Sequence, residues 1–302
     1  MKKKSLILIL IATAINFISC SKNEEDTCTG ENFTVPFDRL VKKTISTATP
    51  LDVVFDRTTE FTYNSYNLLT QTSNYKTSGR NDEVIYNNTY GCNNNISTRS
   101  GYEYSYNLDN KLTQIKDRSD NKIHLVHNEN AVELSGTISK YFGTSDYSGT
   151  SFELNANNLV TKITRKDNYS VLEYDVNGNL IHAKDFNLND ELVNAYELIY
   201  DQNPNPYYGQ LKSTYLFAVA SVFEVSVKEA IWFSLEYSDF EISFPYFPNN
   251  LIKITETAGT STTKVRSERK FTYDDENYPI NFEYFTHGNI HVSDVEIVYQ
   301  NN

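Results

Sequence analysis

Histidine, carboxylate and cysteine are the side chains from which this 302-residue chain would build a reactive centre. Few of them are arranged for it. His287 and His291 have a spacing at which two imidazoles can share a metal, but Gly288-Asn289 between them is a two-residue hairpin signal. That turn pairs His287 with Ile290 and Thr286 with His291, which sends the two rings to opposite faces. His124 and His127 are three apart on an expected strand, again on opposite faces, and read as surface residues. His182 follows Ile181 and reads as solvated. Asp274-Asp275-Glu276 is the densest carboxylate group of the body, yet it occupies a turn position, where Asp bonds its own backbone. Asp175-Val176-Asn177-Gly178-Asn179 begins like a calcium loop but lacks the distal Glu and the flanking helices. No nucleophile elbow, zincin, phosphate-loop or dinucleotide fingerprint occurs, and no Cys/His group has zinc spacing. The expectation is a non-enzyme with no catalytic residue, no metal and no cofactor. Acidic pairs for glycoside hydrolysis meet in space and not in sequence, so an unrecognised hydrolase stays as the alternative.

The first residues carry chemistry of another kind. Lys2-Lys3-Lys4 is followed by an apolar run from Leu6 to Ile18, too short for a comfortable transmembrane helix but fitting a secretory signal over residues 1–19. Ser19-Cys20 at its end resembles the lipobox of bacterial lipoproteins. The resemblance implies that Cys20 is diacylated and becomes the new N-terminus, the acyl chains anchoring the protein at ~0.8 kcal/mol per buried CH₂. A free thiol in an ordinary signal peptide is the alternative. Ser21-Lys22-Asn23-Glu24-Glu25-Asp26 resembles the acidic export tag of Bacteroidota lipoproteins, which implies display on the outer face of the outer membrane; a solvated tether is the other reading of residues 20–35. In an oxidising envelope the remaining pair, Cys28 and Cys92, is expected to be bridged, against two free thiols. The net charge of −12, with no basic block beyond residue 4, argues against nucleic acid.

The elements that would position any site are legible from a repeated phrase. Aromatics make up 14% of the chain, with 23 Tyr and 17 Phe, and Asn is abundant, which favours strands joined by tight turns. An aromatic-ended strand, an Asn/Asp turn and a return strand opening on Leu recur. Copies stand at Phe61–Leu68, Tyr104–Ile115, Phe152–Leu159, Leu172–Ile181 and Phe271–Ile280, with echoes at Tyr90–Ile96 and Leu125–Leu134. With the echo at Leu125 counted, successive copies from Tyr104 to Leu172 are about 20 to 27 residues apart. Tyr174-Asp175-x-x-Gly178-Asn179-Leu180 is the fullest copy. The phrase resembles the YD repeat of RHS-type proteins and, more closely, Bacteroidota lipoproteins of unknown function built from divergent YD-like hairpins. That resemblance covers roughly residues 60–300 and implies an all-β body and no reaction; the repeat domain is expected over 36–302. A single antiparallel meander of about seven hairpins, curved or barrel-like, is expected.

One hairpin is broken. Tyr196–Asp201 enters as usual, but the Asn-Asn-Leu-Ile-Lys-Ile return comes only at 249–254. The insertion, 207–248, is aromatic-rich, with a short helix expected near 212–223 and irregular or strand structure after it. Tyr207, Tyr208, Tyr215, Phe217, Trp232, Phe233 and Tyr237 are candidates to line a pocket for an apolar or amphipathic, lipid-like ligand. The same side chains would serve as a core plug, in which case the protein is a structural or adhesive shell. Glycan recognition, with Tyr and Trp stacking on sugar rings, is a further alternative.

Overall fold

The computed structural model describes residues 35, 39–48, 56–140, 143–231, 246–258, 262–286 and 290–300. The chain runs through β1 (Val41–Ala48), β2 (Arg57–Tyr63), β3 (Leu69–Lys76), β4 (Val84–Tyr90), β5 (Ile96–Arg99) and β6 (Tyr102–Tyr106). It continues through β7 (Leu112–Lys116), β8 (Lys122–Asn128), β9 (Ala131–Lys140), β10 (Gly143–Asp146) and β11 (Thr150–Leu154). After β12 (Val160–Thr164) come β13 (Asn168–Tyr174), β14 (Leu180–Asn187) and β15 (Leu192–Pro204). The last four are β16 (Asn249–Ala258), β17 (Lys264–Tyr273), β18 (Pro279–Thr286) and β19 (Ile290–Tyr299). Each strand pairs antiparallel with the next, except that β10 folds back on β9 alone and β11 takes the neighbouring stretch of β9. β19 then pairs with β1, Ile297 opposite Thr44, and the sheet closes into a barrel of eighteen strands. The expected antiparallel meander is therefore longer than about seven hairpins, and of the two expected forms, curved or barrel-like, it takes the closed one. The faint copies are full hairpins, and closure removes the open edges that a long meander would expose.

The repeated phrase has one mechanical form. Asn64, Asn107, Asn155, Asp175 and Asp274 each accept, through Oδ1, two backbone N–H groups two and four residues ahead, at 2.9–3.0 Å. The fourth residue of each turn is left-handed: Asn67, Asn110 and Asn158 at φ 60°, Asn277 at 65° and Gly178 at 94°. Asn and Gly are the residues that tolerate this conformation. A bulge at the first pair of each return strand absorbs the extra residue. All five turns lie at the same end of the barrel, called here the turn end. Asp117 and Asn187 make the same turn at the opposite end.

Strand alternation sorts the side chains by face. Phe61, Leu69, Ile115, Ile123, Val132, Phe152, Ile163, Leu172, Leu198, Ile254 and Tyr284 are buried inside. Outward positions carry charge on strand after strand, including Lys116 with Glu103 at 3.5 Å, Lys162 with Glu153 at 3.3 Å and Lys184 with Glu173 at 2.7 Å. His182 joins the last pair on the solvated face expected for it. At the β18–β19 turn, Thr286 stands opposite Ile290 and Phe285 opposite His291. The connection is thus three residues, 287–289, and the expected pairing of Thr286 with His291 is replaced because a bulge at Tyr284/Phe285 shifts the register. His287 lies outside the described residues.

The β15–β16 insertion threads the barrel. A 3₁₀ turn at Lys212–Thr214 leads into α1 (Tyr215–Val222), which replaces the expected 212–223 helix by a slightly shorter one. A second short helix, α2 (Val227–Ala230), stands where irregular or strand structure was expected. Gln210 at the turn end accepts from the Leu69 N–H at 2.9 Å, and Phe217 packs edge-on against Tyr102 and Tyr104 further in. At the opposite end Arg165 donates to the Phe223 carbonyl at 2.9 Å, and Asn168 donates to the Val225 carbonyl. Asp185 accepts from the Val227 N–H at 2.8 Å, and Ser170 bridges Arg165 to Asp185. Tyr246 and Phe247 are again at the turn end, Phe247 edge-on to Tyr200. The described part of the insertion thus descends the lumen from the turn end to the opposite end.

Candidate functional site

A band of tyrosines underlies the turn end. Tyr63, Tyr90, Tyr106 and Tyr299 close their strands with the ring turned inward. Each hydroxyl crosses to the carbonyl that opens an earlier return strand: Val41, Leu69, Ile96 and Pro279, at 2.7–3.0 Å. The phrase's aromatic residue is thus a lateral strut between repeats. At Tyr174 the insertion intervenes. Its hydroxyl meets that of Tyr215 at 3.0 Å, and Tyr215 in turn accepts from the Val160 N–H at 3.0 Å. Burial pushes the Tyr215 hydroxyl up to about 12, its bonds to Tyr174 and Val160 partly offsetting the effect. Tyr246, edge-on to Tyr215 with centroids 5.2 Å apart, is raised to about 12 by the same burial. These phenols stay neutral and work as donors and packing surfaces.

Between this band and the turns of β6–β7, β8–β9 and β11–β12 lies a cleft of about 420 Å³. Its floor is apolar, made of Leu112, Leu154, Leu159 and Leu216 with the rings of Tyr208 and Tyr215. Its rim is polar, with Asn110, Asn128, Asn158, Lys111, Lys212 and Glu129. Asn110 Oδ1 accepts from Asn93 Nδ2 at 2.7 Å and from Asn95 Nδ2 at 3.0 Å, which locks the β4–β5 turn to the rim. His127 points inward into the wall, and its Nε2–H donates to the Leu112 carbonyl at 2.7 Å. The expected opposition to His124 holds, but His127 lines the cleft instead of standing on the outer surface. The arrangement offers van der Waals contact below and amide, ammonium and carboxylate groups above. It suits a molecule with an apolar part and a polar head.

The candidate residues separate on this map. Tyr208 and Tyr215 line the cleft. Tyr207 and Phe217 do not: Tyr207 packs on Phe61 with centroids 5.6 Å apart, and Phe217 is buried between Tyr102 and Tyr104. Trp232, Phe233 and Tyr237 lie outside the described residues, as do Cys20 and Cys28. Cys92, in the β4–β5 turn, is disulfide-bonded. Asp274 and Glu276 hold Arg39 at 2.5 and 2.9 Å, and the Arg39 guanidinium lies over the rings of Tyr278 and Tyr299. Although burial opposes ionisation of Asp274, the Tyr278 N–H and Arg39 hold its carboxyl below the usual range. Among the described residues no group of three or more His, Cys, Asp and Glu could hold a metal ion. The cleft wall from Leu154, Leu159 and His127 escaped the sequence reading, because it forms only when the sheet curls. The one available signal was parity, which puts His127 on the same face as Ile123 and Leu125.

No family model and no curated protein matches this chain. It is similar to a solved porin-like protein from Bacteroides vulgatus ATCC 8482, at 11% identity and a TM-score of 0.41, over 88% of this chain and 100% of that one. A porin-like protein from Bacteroides uniformis ATCC 8492 gives 12% identity and a TM-score of 0.43, over 86% and 96%. The Tc holotoxin pore of Photorhabdus luminescens gives 7% identity and a TM-score of 0.22, over 77% of this chain and 14% of that one. Likeness of this degree is confined to strand-built architecture and brings no residue correspondence.

Proposed function

We propose that this chain is a lipid-anchored protein of the bacterial outer-membrane surface, a water-facing barrel that binds an amphipathic molecule in its turn-end cleft and catalyses no reaction. The cleft carries this reading, through its apolar floor beneath a polar rim. The outer face supports the water-facing part. A membrane-spanning barrel needs an apolar belt, and a Lys or Arg at the bilayer midplane costs about 2–4 kcal/mol. Here Lys116, Lys162, Lys184, Glu103, Glu153 and Glu173 stand on that face. Attachment then comes from Cys20, whose setting Ser19-Cys20-Ser21 supports acylation. A lumen crossed by the chain's own insertion supports a binding module over a conduit.

The test is native mass spectrometry of the protein purified from its own membranes. A bound amphiphile should appear as an adduct that Leu154→Trp, which fills the cleft, abolishes while leaving the thermal midpoint within a few degrees. An adduct that Leu154→Trp leaves in place removes the cleft from the proposal. A wild-type protein that carries no adduct and takes up none from a membrane lipid extract is a structural shell. The filled lumen favours that second reading.

A further inference from the structure

We propose that the barrel stands with its turn end toward the membrane, so that the cleft opens onto the lipid surface and draws its amphipathic ligand from it. This rests on the lipid-anchor reading above. The argument is one of reach. Arg39, clamped by Asp274 and Glu276, brings the chain into β1 at the turn end, where Gln300 N–H also bonds the Leu40 carbonyl. From Cys20 to Arg39 a fully extended chain covers roughly 65 Å, and a tether of that length would let either end face the bilayer.

The disulfide at Cys92 narrows that freedom. The chain has three cysteines. With Cys20 acylated, Cys28 is the one left to hold Cys92. Cys92 sits in the β4–β5 turn, beside the cleft rim, through Asn93 and Asn95 bonding to Asn110. The free tether is then the span from Cys20 to Cys28, at most about 28 Å at ~3.5 Å per residue. A strand such as β18, with eight residues, is itself about 27 Å long. A 28 Å tether fixed at the turn end holds that end near the lipid, and would have to run the full height of the barrel to present the other one.

Exposed apolar side chains alone do not decide between the ends. Leu108 and Val176, 87% and 100% exposed, project from turn-end tips, but Leu188, 66% exposed, projects from the opposite end. They make convenient reporters. A photo-crosslinking amino acid in place of Leu108 or Val176, and separately of Arg118 or Leu188, is introduced into the full acylated protein. The protein is then reconstituted on phosphatidylethanolamine–phosphatidylglycerol vesicles, with acylation checked by intact mass. Lipid adducts at 108 and 176 should exceed those at 118 and 188 at least fivefold, and Cys28→Ser should bring the ratio toward one. Acylated wild type with a ratio of one or less overturns the orientation and leaves the anchor standing. A wild-type mass without acyl chains overturns both.

Discussion

At the level of single residues, the turn chemistry makes the sharpest forecasts. Gly178 is left-handed at φ 94°, and a Cβ there would meet nothing closer than Leu159 Cδ1 at 3.7 Å. The cost of substitution is therefore conformational. Gly178→Val should destabilise by about 1–2 kcal/mol, whereas Gly178→Asn, the residue at the same position in the four sibling turns, should stay within about 0.5 kcal/mol. Urea midpoints decide it. Gly136 is a different case, because a Cβ would fall 2.1 Å from the Lys122 carbonyl oxygen, which is backbone and cannot swing away. Gly136→Ala should cost more than Gly178→Val in the same assay. Asp117 links a turn to pH. Burial raises its pKa, but bonds from Asn121, the Ser139 N–H and the Ser119 N–H outweigh that and hold it at about 2, below its ordinary 3.8. A depressed carboxylate contributes fully above 3.8, and its contribution is lost as pH falls toward 2. Wild type should lose stability across that window more steeply than Asp117→Asn, as followed by thermal melts. This much was visible in the letters, since Asn-x-x-Asn-Leu and Asp-x-x-Gly-Asn name their own turns. His127 was not, because parity tells which face a residue takes but not what that face encloses.

At the level of elements, the struts and the insertion carry separate loads. Tyr106 donates to the Ile96 carbonyl at 3.0 Å and lies near the Ser213 carbonyl at 3.4 Å, joining β6, β5 and the insertion. Tyr106→Phe should cost about 0.5–1.5 kcal/mol, the usual worth of one such bond, and should leave far-UV dichroism unchanged. Arg165 is a heavier support. Burial lowers its pKa to about 10, partly offset by Asp185, so the guanidinium stays charged at neutral pH and spans Phe223, Asn168 and Ser170. Arg165→Met should free the lower end of the insertion, cost about 2–4 kcal/mol and speed hydrogen exchange in Val219–Ala230 before the strands follow. The hairpins were legible because each is local. The path of the insertion was not, since Leu216, Val219 and Phe223 fit a helix on a surface as well as one inside a lumen.

The whole molecule follows from closure, which no local pattern encodes. A meander that begins at Phe61 and one that closes on itself use the same hairpins; the difference lies in β1, a strand of Lys, Thr and Ser without the phrase, whose role is to join β19 to β2. Closure around an apolar lumen with charge outside predicts behaviour in solution. The Cys20→Ala protein should remain monodisperse in buffer without detergent, as read by light scattering, whereas a barrel with a lipid-facing belt would aggregate.

The insertion joins two neighbouring strands, so the interior is occupied without any chain terminus having to be passed through a finished ring. The wall can assemble around its own filling. In time, this makes the seam between β1 and β19 the natural last event, because it joins segments more than 240 positions apart, while the widest of the other pairings in the ring, β15 with β16 across the insertion, joins residues at most 64 apart. Until the final strand arrives, the protein is an open sheet with two unsatisfied borders and a half-covered greasy centre. A chain stopped short of β19 would therefore be delivered to the cell as a target for proteases and aggregation, and the C-terminal strand acts as the latch on everything before it.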